Sequence, residues 1–209
     1  WTITLTGILH AQKISLKDVQ LNLSLQDYRL EDIIDGTPDD DQIGYVYKGL
    51  VNSSLKPVYL DDSVTDEFEK LFKPAFSTST DAIPLVIRIN SIQVNEWSEL
   101  FSKKVNLISL SLSIFQQVED NKYVLIADRV INDYDIDGLI NKDIGDGIGQ
   151  AIDRAFDYLD LYVDTERPSL TWSDLWDYEP FQGLPYPRLA DETKLFEHYS
   201  DFRQNKPLE

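Results

Sequence analysis

Alternation of apolar and polar residues is the feature that most limits how this chain can fold. Apolar side chains recur at every second position around Leu85–Val94 and Val105–Phe115, and a third apolar segment covers Tyr123–Val130. Successive side chains of a β-strand point to opposite faces, so the pattern predicts strands with one buried face. The same alternation over Val19–Leu25 predicts a further strand in the first part of the chain.

Turn signals separate these strands. Ile92 is out of phase with Ile89, and such a slip within a strand is typical of a β-bulge. The residues Glu119-Asp120-Asn121-Lys122 predict a tight hairpin before the returning strand. A strand over Tyr28–Ile34 either extends the one around Val19–Leu25 or begins a second one. After an acidic turn that contains glycine and proline, another short strand is predicted over Ile43–Leu50.

Two segments show helical spacing instead. The first has apolar residues from Val64 to Phe76 and is preceded by Ser63, a good N-cap residue. The second covers Asp143 to Val163, where the apolar residues fall three or four positions apart on one stripe. That stripe consists of Ile144, Ile148, Ile152, Phe156, Leu159 and Val163.

Together these elements predict an α+β fold: a two-layer α/β sandwich with a mostly antiparallel sheet and two helices on one face. A hydrophobic content of 42% is enough for a core. The positions that we expect to be buried are Leu21, Leu23, Phe68, Phe72, Ile87, Leu110, Leu112, Ile152 and Phe156.

The chain is expected to have three parts. Residues 1–11 form a signal-peptide remnant, residues 12–166 the sandwich domain, and residues 167–209 an extension packed on that domain. The extension is interrupted by prolines, so it favours an irregular structure. Its large aromatic residues, which we predict to be either core or a binding surface, are Trp172, Trp176, Tyr178, Phe181 and Tyr186.

The first residues predict export. Trp1–Leu9 is uncharged and mostly apolar, and Leu9-His10-Ala11 places a small residue before Gln12, as a signal-peptidase site requires. The segment is too short to span a bilayer, which takes about 20 apolar residues. The alternative is an edge strand over Ile3–Ile8. Export predicts a periplasmic or secreted protein with no integral membrane segment.

Composition excludes several kinds of function. A formal charge of −18 opposes binding to nucleic acid, because affinity for phosphates comes from cationic side chains. The chain has no cysteine and two histidines, His10 and His198, which excludes disulfides, thiol catalysis and a histidine-rich zinc site. No Gly-x-Ser-x-Gly nucleophile motif is present. We therefore expect no enzymatic activity.

The order of elements resembles that of known envelope proteins. With the run Ile33-Ile34-Asp35-Gly36 leading to Gln42-Ile43-Gly44, residues 17–163 resemble the YajG-type periplasmic lipoproteins. More loosely, they resemble auxiliary lipoproteins of transport systems, whose sandwich is similar to the TolB amino-terminal domain. The resemblance implies a cell-envelope protein without a catalytic site. The chain departs from it at Gln12, where a lipoprotein would have its acylated cysteine.

One acidic stretch has the spacing of a calcium loop. Asp133, Asp135 and Asp137 alternate before Gly138, as in the first half of an EF-hand, and Asn141 and Asp143 follow. The twelfth position, which should supply a bidentate carboxylate, is Ile144. The stretch predicts at most a weak calcium site, and the alternative is an acidic strand end followed by a helix. We expect no other cofactor.

The sequence therefore predicts an exported, non-catalytic envelope protein that acts through protein contacts, as an accessory or assembly component. Its partner is expected to be another envelope protein. The alternative is a carbohydrate-binding or carbohydrate-processing module that uses the aromatic residues of the extension. The run Gly145-Asp146-Gly147-Ile148-Gly149 superficially resembles a phosphate loop, but its aspartate would repel phosphate. Close packing of a helix on the sheet explains these glycines better.

Overall fold

The computed structural model describes residues 11–38, 42–48, 54–98, 104–135, 141–156 and 168–180. Within them, a sheet carries helices on both faces. The strands are β1 (Gln12–Ile14), β2 (Tyr28–Asp35), β3 (Gln42–Lys48), β4 (Ser54–Leu60), β5 (Ile83–Ser98), β6 (Lys104–Glu119) and β7 (Lys122–Asp135). The helices are α1 (Val64–Phe72), α2 (Asn141–Phe156) and α3 (Trp172–Trp176).

The fold is α+β, as predicted, but the sheet is mixed and not mostly antiparallel. The strand order is β1-β4-β3-β5-β6-β7, and β2 also pairs with β5. The pairs β5–β6 and β6–β7 are antiparallel, whereas β2 and β3 both run parallel to β5. A parallel pair needs a crossover connection, and α1 lies on the connection that leads to β5. The sequence pattern predicts β2, β3, β5, β6 and β7 as strands, but it does not reveal that β2 and β3 run parallel to β5.

The local predictions around β5 to β7 are confirmed. The register of β5 against β6 shifts between Ile89 and Ser91, which is the predicted bulge. The chain turns between Glu119 and Lys122, and Asn121 there has a φ of 54°. Asparagine tolerates this left-handed conformation better than most residues.

The main core lies between the sheet and the helices α1 and α2, which cover one face of the sheet. Ser63 caps α1 as predicted, since its side chain accepts a hydrogen bond from the Asp66 backbone N–H at 3.1 Å. The rings of Phe72 and Phe156 bring the two helices together, with their centroids 5.8 Å apart. Of the positions predicted to be buried, Leu21 and Leu23 are only partly buried, and the others are in the core.

The predicted strand over Val19–Leu25 is wrong. Only Leu25 forms a bridge, to Phe76, and the rest of the segment has no ladder partner. Instead, the backbone N–H groups of Asn22 and Leu23 donate to the Asp153 carboxylate of α2, at 3.0 and 3.3 Å. The alternation survives because Val19 and its apolar neighbours still pack against the core. Period two here indicates an extended segment and not a strand.

The glycines of α2 serve close packing, as the sequence suggested. A Cβ added at Gly147 would lie 2.3 Å from Ile108 Cδ1, and one added at Gly149 would lie 2.7 Å from Val19 Cγ1. The helix therefore approaches β6 and the extended segment more closely than a larger residue would allow. Among the described residues, no helix is long and apolar enough to cross a membrane.

Candidate functional site

A short segment of the predicted extension covers one end of the opposite face of the sheet. We call residues 168–178 the strap; it contains α3. Leu175 of α3 is fully buried and belongs to a second apolar cluster with Ile34, Val86, Phe115 and Tyr123. Leu170 and Tyr123 exchange two backbone hydrogen bonds, at 2.7 and 2.8 Å. These contacts seat the strap on the sheet.

Hydrogen bonds at the start of α3 fix the path of the strap into this helix. The Thr171 backbone N–H and hydroxyl both donate to the Asp174 carboxylate, each at 2.7 Å. Both hydrogen bonds, of which the one from the backbone N–H has the larger effect, hold the pKa of Asp174 below its usual value. The backbone N–H of Trp172 donates to Asn121 Oδ1 of the hairpin at 3.0 Å. The strap is thereby tied to the β6–β7 turn.

A buried polar network lies beside the apolar cluster. Asn90 Nδ2 donates to Ser113 Oγ at 2.8 Å, and Ser113 Oγ donates to Asp128 Oδ1 at 2.6 Å. Tyr178 of the strap donates its hydroxyl to Asp128 Oδ2 at 2.7 Å. Asn90, Ser113 and Asp128 are all buried. The network therefore links three strands to the end of the strap.

Arg88 completes this network. Its guanidinium donates to Asn90 Oδ1 and, at 3.2 Å, to the carbonyl oxygen of Trp176. Burial lowers the pKa of Arg88, and the charges of Asp35 and Asp177 act in the opposite direction. A Cβ added at Gly36 would lie 2.3 Å from the guanidinium, so glycine leaves the space that Arg88 occupies. The arrangement positions the strap with a charged hydrogen bond.

The described aromatic residues of the extension are partly core and partly surface. Tyr178 packs edge-on against Phe115 at 5.0 Å, and Trp172 packs against Tyr123 at 5.7 Å. Both are half-buried, whereas Trp176 is 51% exposed. Phe181 and Tyr186 lie outside the described residues. Of the predicted binding residues, the structure thus brings three together and presents one of them to solvent.

Arg88, Asn90, Ser113 and Asp128 were not predicted as site residues from the sequence. One signal was available: polar residues occupy the face of β5 and β6 opposite the apolar one, which normally means solvent exposure. Here the strap covers the end of that face on which these four residues lie. Arg88 and Asn90, a basic residue and an amide at alternate positions of a long apolar strand, are one trace of this cover in the sequence.

A cleft of about 490 Å³ lies near the start of β2 and the loop before β5. It is lined by hydroxyl residues of that loop and by Arg29 and Lys73. Both cations are already engaged, since Arg29 pairs with Glu31 and Lys73 pairs with Glu69 at 2.7 Å. The cleft therefore offers an anion little uncompensated charge.

The calcium prediction falls largely outside the described side chains. Asp133 and Asp135 lie in β7, Asp137 lies outside the described residues, and Asn141 and Asp143 begin α2. Ile144, at the twelfth loop position, is buried in the core. In the parts of the chain that the structure describes, no cluster of three or more acidic or histidine residues could hold a metal ion.

If the stretch from Asp133 to Asp143 chelates calcium, calcium at millimolar concentration should raise the melting temperature of the protein. Relief of carboxylate repulsion would stabilise the folded state by mass action, with a Kd on the order of 10⁻⁴–10⁻³ M. The measurement is thermal melting with calcium against chelator, repeated on Asp135→Asn. Equal melting temperatures would leave the stretch as an acidic strand end.

No protein-family model and no curated protein sequence matches this chain. Among solved structures, it is similar to the crystal structure of protein XCC0632 from Xanthomonas campestris, described by the family model DUF330. The TM-score is 0.33, with 12% sequence identity over 69% of this chain and 86% of that chain. A likeness this distant carries no inference about function.

Proposed function

We propose that the protein is an exported, non-catalytic component of the cell envelope that contacts a partner protein through its strap. The observation that carries the proposal is the exposed indole of Trp176 on a fixed backbone. Its carbonyl oxygen accepts a hydrogen bond from buried Arg88, and its neighbour Leu175 is fully buried. The strap therefore holds an apolar ring in solvent.

Such a ring suits a protein interface. Tryptophan is among the residues that contribute most to binding, and a preorganised side chain loses little entropy when it binds. Trp172 supports it from one side, since the two indoles meet edge-on with centroids 6.4 Å apart. The acidic character of the chain favours a partner that is neither nucleic acid nor an anionic membrane surface.

The export part of the proposal rests on the residues before Gln12. We expect the protein from its native host to be recovered in the envelope or secreted fraction. Amino-terminal sequencing should begin at Gln12 or within about two residues of it, because cleavage follows a small residue. A recovered chain that still carries residues 1–11 would contradict this part alone.

The contact part is tested with a photo-cross-linking amino acid at Ser173, an exposed position on α3. We expect a discrete protein adduct in the native host, which Trp176→Ala should weaken at least about tenfold, as loss of a central aromatic anchor does. The matched control is Val118→Ala, which removes an exposed apolar side chain outside the strap. A cross-linker at Thr80, in the loop before β5, controls for random capture.

An adduct that is unchanged in Trp176→Ala would contradict the proposal. If position 173 gives no protein adduct but Trp176→Ala abolishes binding to a sugar, the alternative of a carbohydrate module would stand instead.

A further inference from the structure

Exposed carboxylates lie in the strap and beside it. We call this group the acidic rim, and it consists of Asp35, Asp120, Asp174 and Asp177. Two of its members belong to the strap itself, which contains no lysine or arginine. Asp120 lies in the β6–β7 turn next to Asn121, to which the Trp172 backbone N–H donates. The exposed indole of Trp176 therefore has acidic surroundings.

Negative charge acts on both ends of the strap. At the Trp176 end, the carboxylates of Asp35 and Asp177 act on Arg88, whose guanidinium donates to the Trp176 carbonyl oxygen. At the other end lies Tyr123, whose ring packs against Trp172. Burial raises the pKa of Tyr123, and the nearby carboxylates of Glu31, Asp120 and Asp32 raise it further.

The charge of the acidic rim is not taken up by ion pairs within the part of the chain that the structure describes. There, no rim carboxylate pairs with a lysine or arginine. Arg88 is buried beneath the strap, and Lys122 of the hairpin pairs with Glu119 at 2.5 Å. The hydrogen bonds from Thr171 to Asp174 favour the ionised carboxylate. The rim therefore offers negative charge to a partner.

An exposed indole among carboxylates separates two kinds of protein partner. A neutral apolar pocket that closes on Trp176 would remove water from the nearby carboxylates without compensating their charge, which is costly. A cationic side chain compensates that charge, and it is itself attracted to the face of an indole, the aromatic ring that binds cations best. Charge complementarity also excludes wrong partners. The strap therefore fits a basic partner surface better than a neutral one.

We propose that the partner protein presents an arginine-bearing basic segment to the strap, with the guanidinium stacked on the indole of Trp176. A guanidinium is planar, so it can lie flat on a ring while its N–H groups donate to carboxylates at the edge. Asp177, the neighbour of Trp176 in the chain, is the acceptor beside the ring. Asp35 and Asp120 attract further cations of the same segment. The inference rests on the proposed strap contact and specifies the chemistry of its partner.

The test follows the full chain with isotope-labelled tryptophan by NMR while a defined peptide is added. The 4 tryptophans each give one indole N–H signal, and Trp176→Phe identifies the signal of Trp176. The probes are acetyl-Gly-Arg-Gly-Arg-Gly-amide and the same peptide with citrulline, which is neutral and has nearly the same shape as arginine. We expect the arginine peptide to shift the Trp176 signal and to bind at least about fivefold more tightly than the citrulline peptide.

Salt and a charge-removing variant locate the contact. Raising the ionic strength from about 0.01 M to about 0.15 M shortens the Debye length from about 30 Å to about 8 Å, so the arginine peptide should bind several-fold more weakly. Asp177→Asn should weaken its binding about threefold, because an exposed carboxylate beside the ring is lost. The matched control is Asp18→Asn, which removes an exposed carboxylate next to Val19, on the α2 side of the sheet. It should leave the binding unchanged.

Three results would overturn this inference. The two peptides could shift the Trp176 signal equally, or that shift could be no larger than the shift of Trp97 in β5, which would indicate general attraction to an acidic chain. The third result comes from the photo-cross-linker at Ser173 and separates the two proposals. An adduct that needs Trp176 but is insensitive to salt and to Asp177→Asn would leave the strap contact standing and reject a basic partner.

Discussion

Replacing Phe156 by alanine is expected to lower the free energy of unfolding by about 3–5 kcal/mol, the usual cost of removing a large buried side chain. Phe156 is 5% exposed and ends the described part of α2. Its ring lies 5.8 Å from Phe72 and 6.4 Å from Phe76, so it joins α2 to α1 and the residues that follow it. The cavity would open at the junction of both helices. Urea unfolding followed by circular dichroism measures the change.

Two controls make this result specific. Phe156→Leu keeps most of the apolar volume and should cost clearly less than alanine, because the cavity is smaller. Val118→Ala at the surface should stay within about 0.5 kcal/mol. A similarly small effect for Phe156→Ala would mean that α2 does not close the core, and the arrangement of the two helices would be wrong.

Much of the core side of the fold follows from the sequence, because burial there imposes a period. The alternation in β5 and β6 and the stripe of α2 depend on which side chains leave water, and that is visible residue by residue. The bulge between Ile89 and Ser91 is visible for the same reason, as a change of phase. Each of these features is local.

Strand direction and strand partners are not local, and this is where the predictions failed. Lys17–Gln26 has a strand's alternation, but the backbone of Asn22 finds its acceptor in the Asp153 side chain of α2. β4 was not predicted, since Lys56 and Pro57 interrupt its apolar pattern. It lies between β1 and β3 in the sheet. Its residues Lys56 and Pro57 pair with Val46 and Tyr45 of β3. Only the partner strands reveal it.

The aromatic part of the candidate site could be predicted from the sequence, and its polar network could not. The aromatic residues of the extension stand out by size, so Trp172, Trp176 and Tyr178 could be selected without a structure. The network beneath them could not be selected, because polar residues opposite an apolar strand face normally meet water. α3 is five residues long, too short to show helical periodicity. Burial of Arg88 and Asp128 depends on this short element, and so does their role.

Removal of the Asp128 carboxylate is expected to destabilise the protein by about 3 kcal/mol and to loosen the strap. Asp128→Ala takes the acceptor from two hydroxyl donors, Ser113 and Tyr178, and a buried donor without a partner costs about 1–3 kcal/mol. Tyr178→Phe is the matched variant: it removes only the hydroxyl and keeps the ring against Phe115. We expect it to cost about 1–2 kcal/mol.

Hydrogen exchange separates loosening of the strap from a general loss of stability. In Asp128→Ala, amides of residues 168–178 should exchange faster by a larger factor than those of α1, because the strap loses its terminal tether and opens locally. Leu170 is the sharpest reporter, since its N–H bonds to the carbonyl oxygen of Tyr123 at 2.7 Å. If strap and α1 amides accelerate equally, the network stabilises the sheet as a whole. Trp176 would then owe its fixed position to the buried side chain of Leu175 instead.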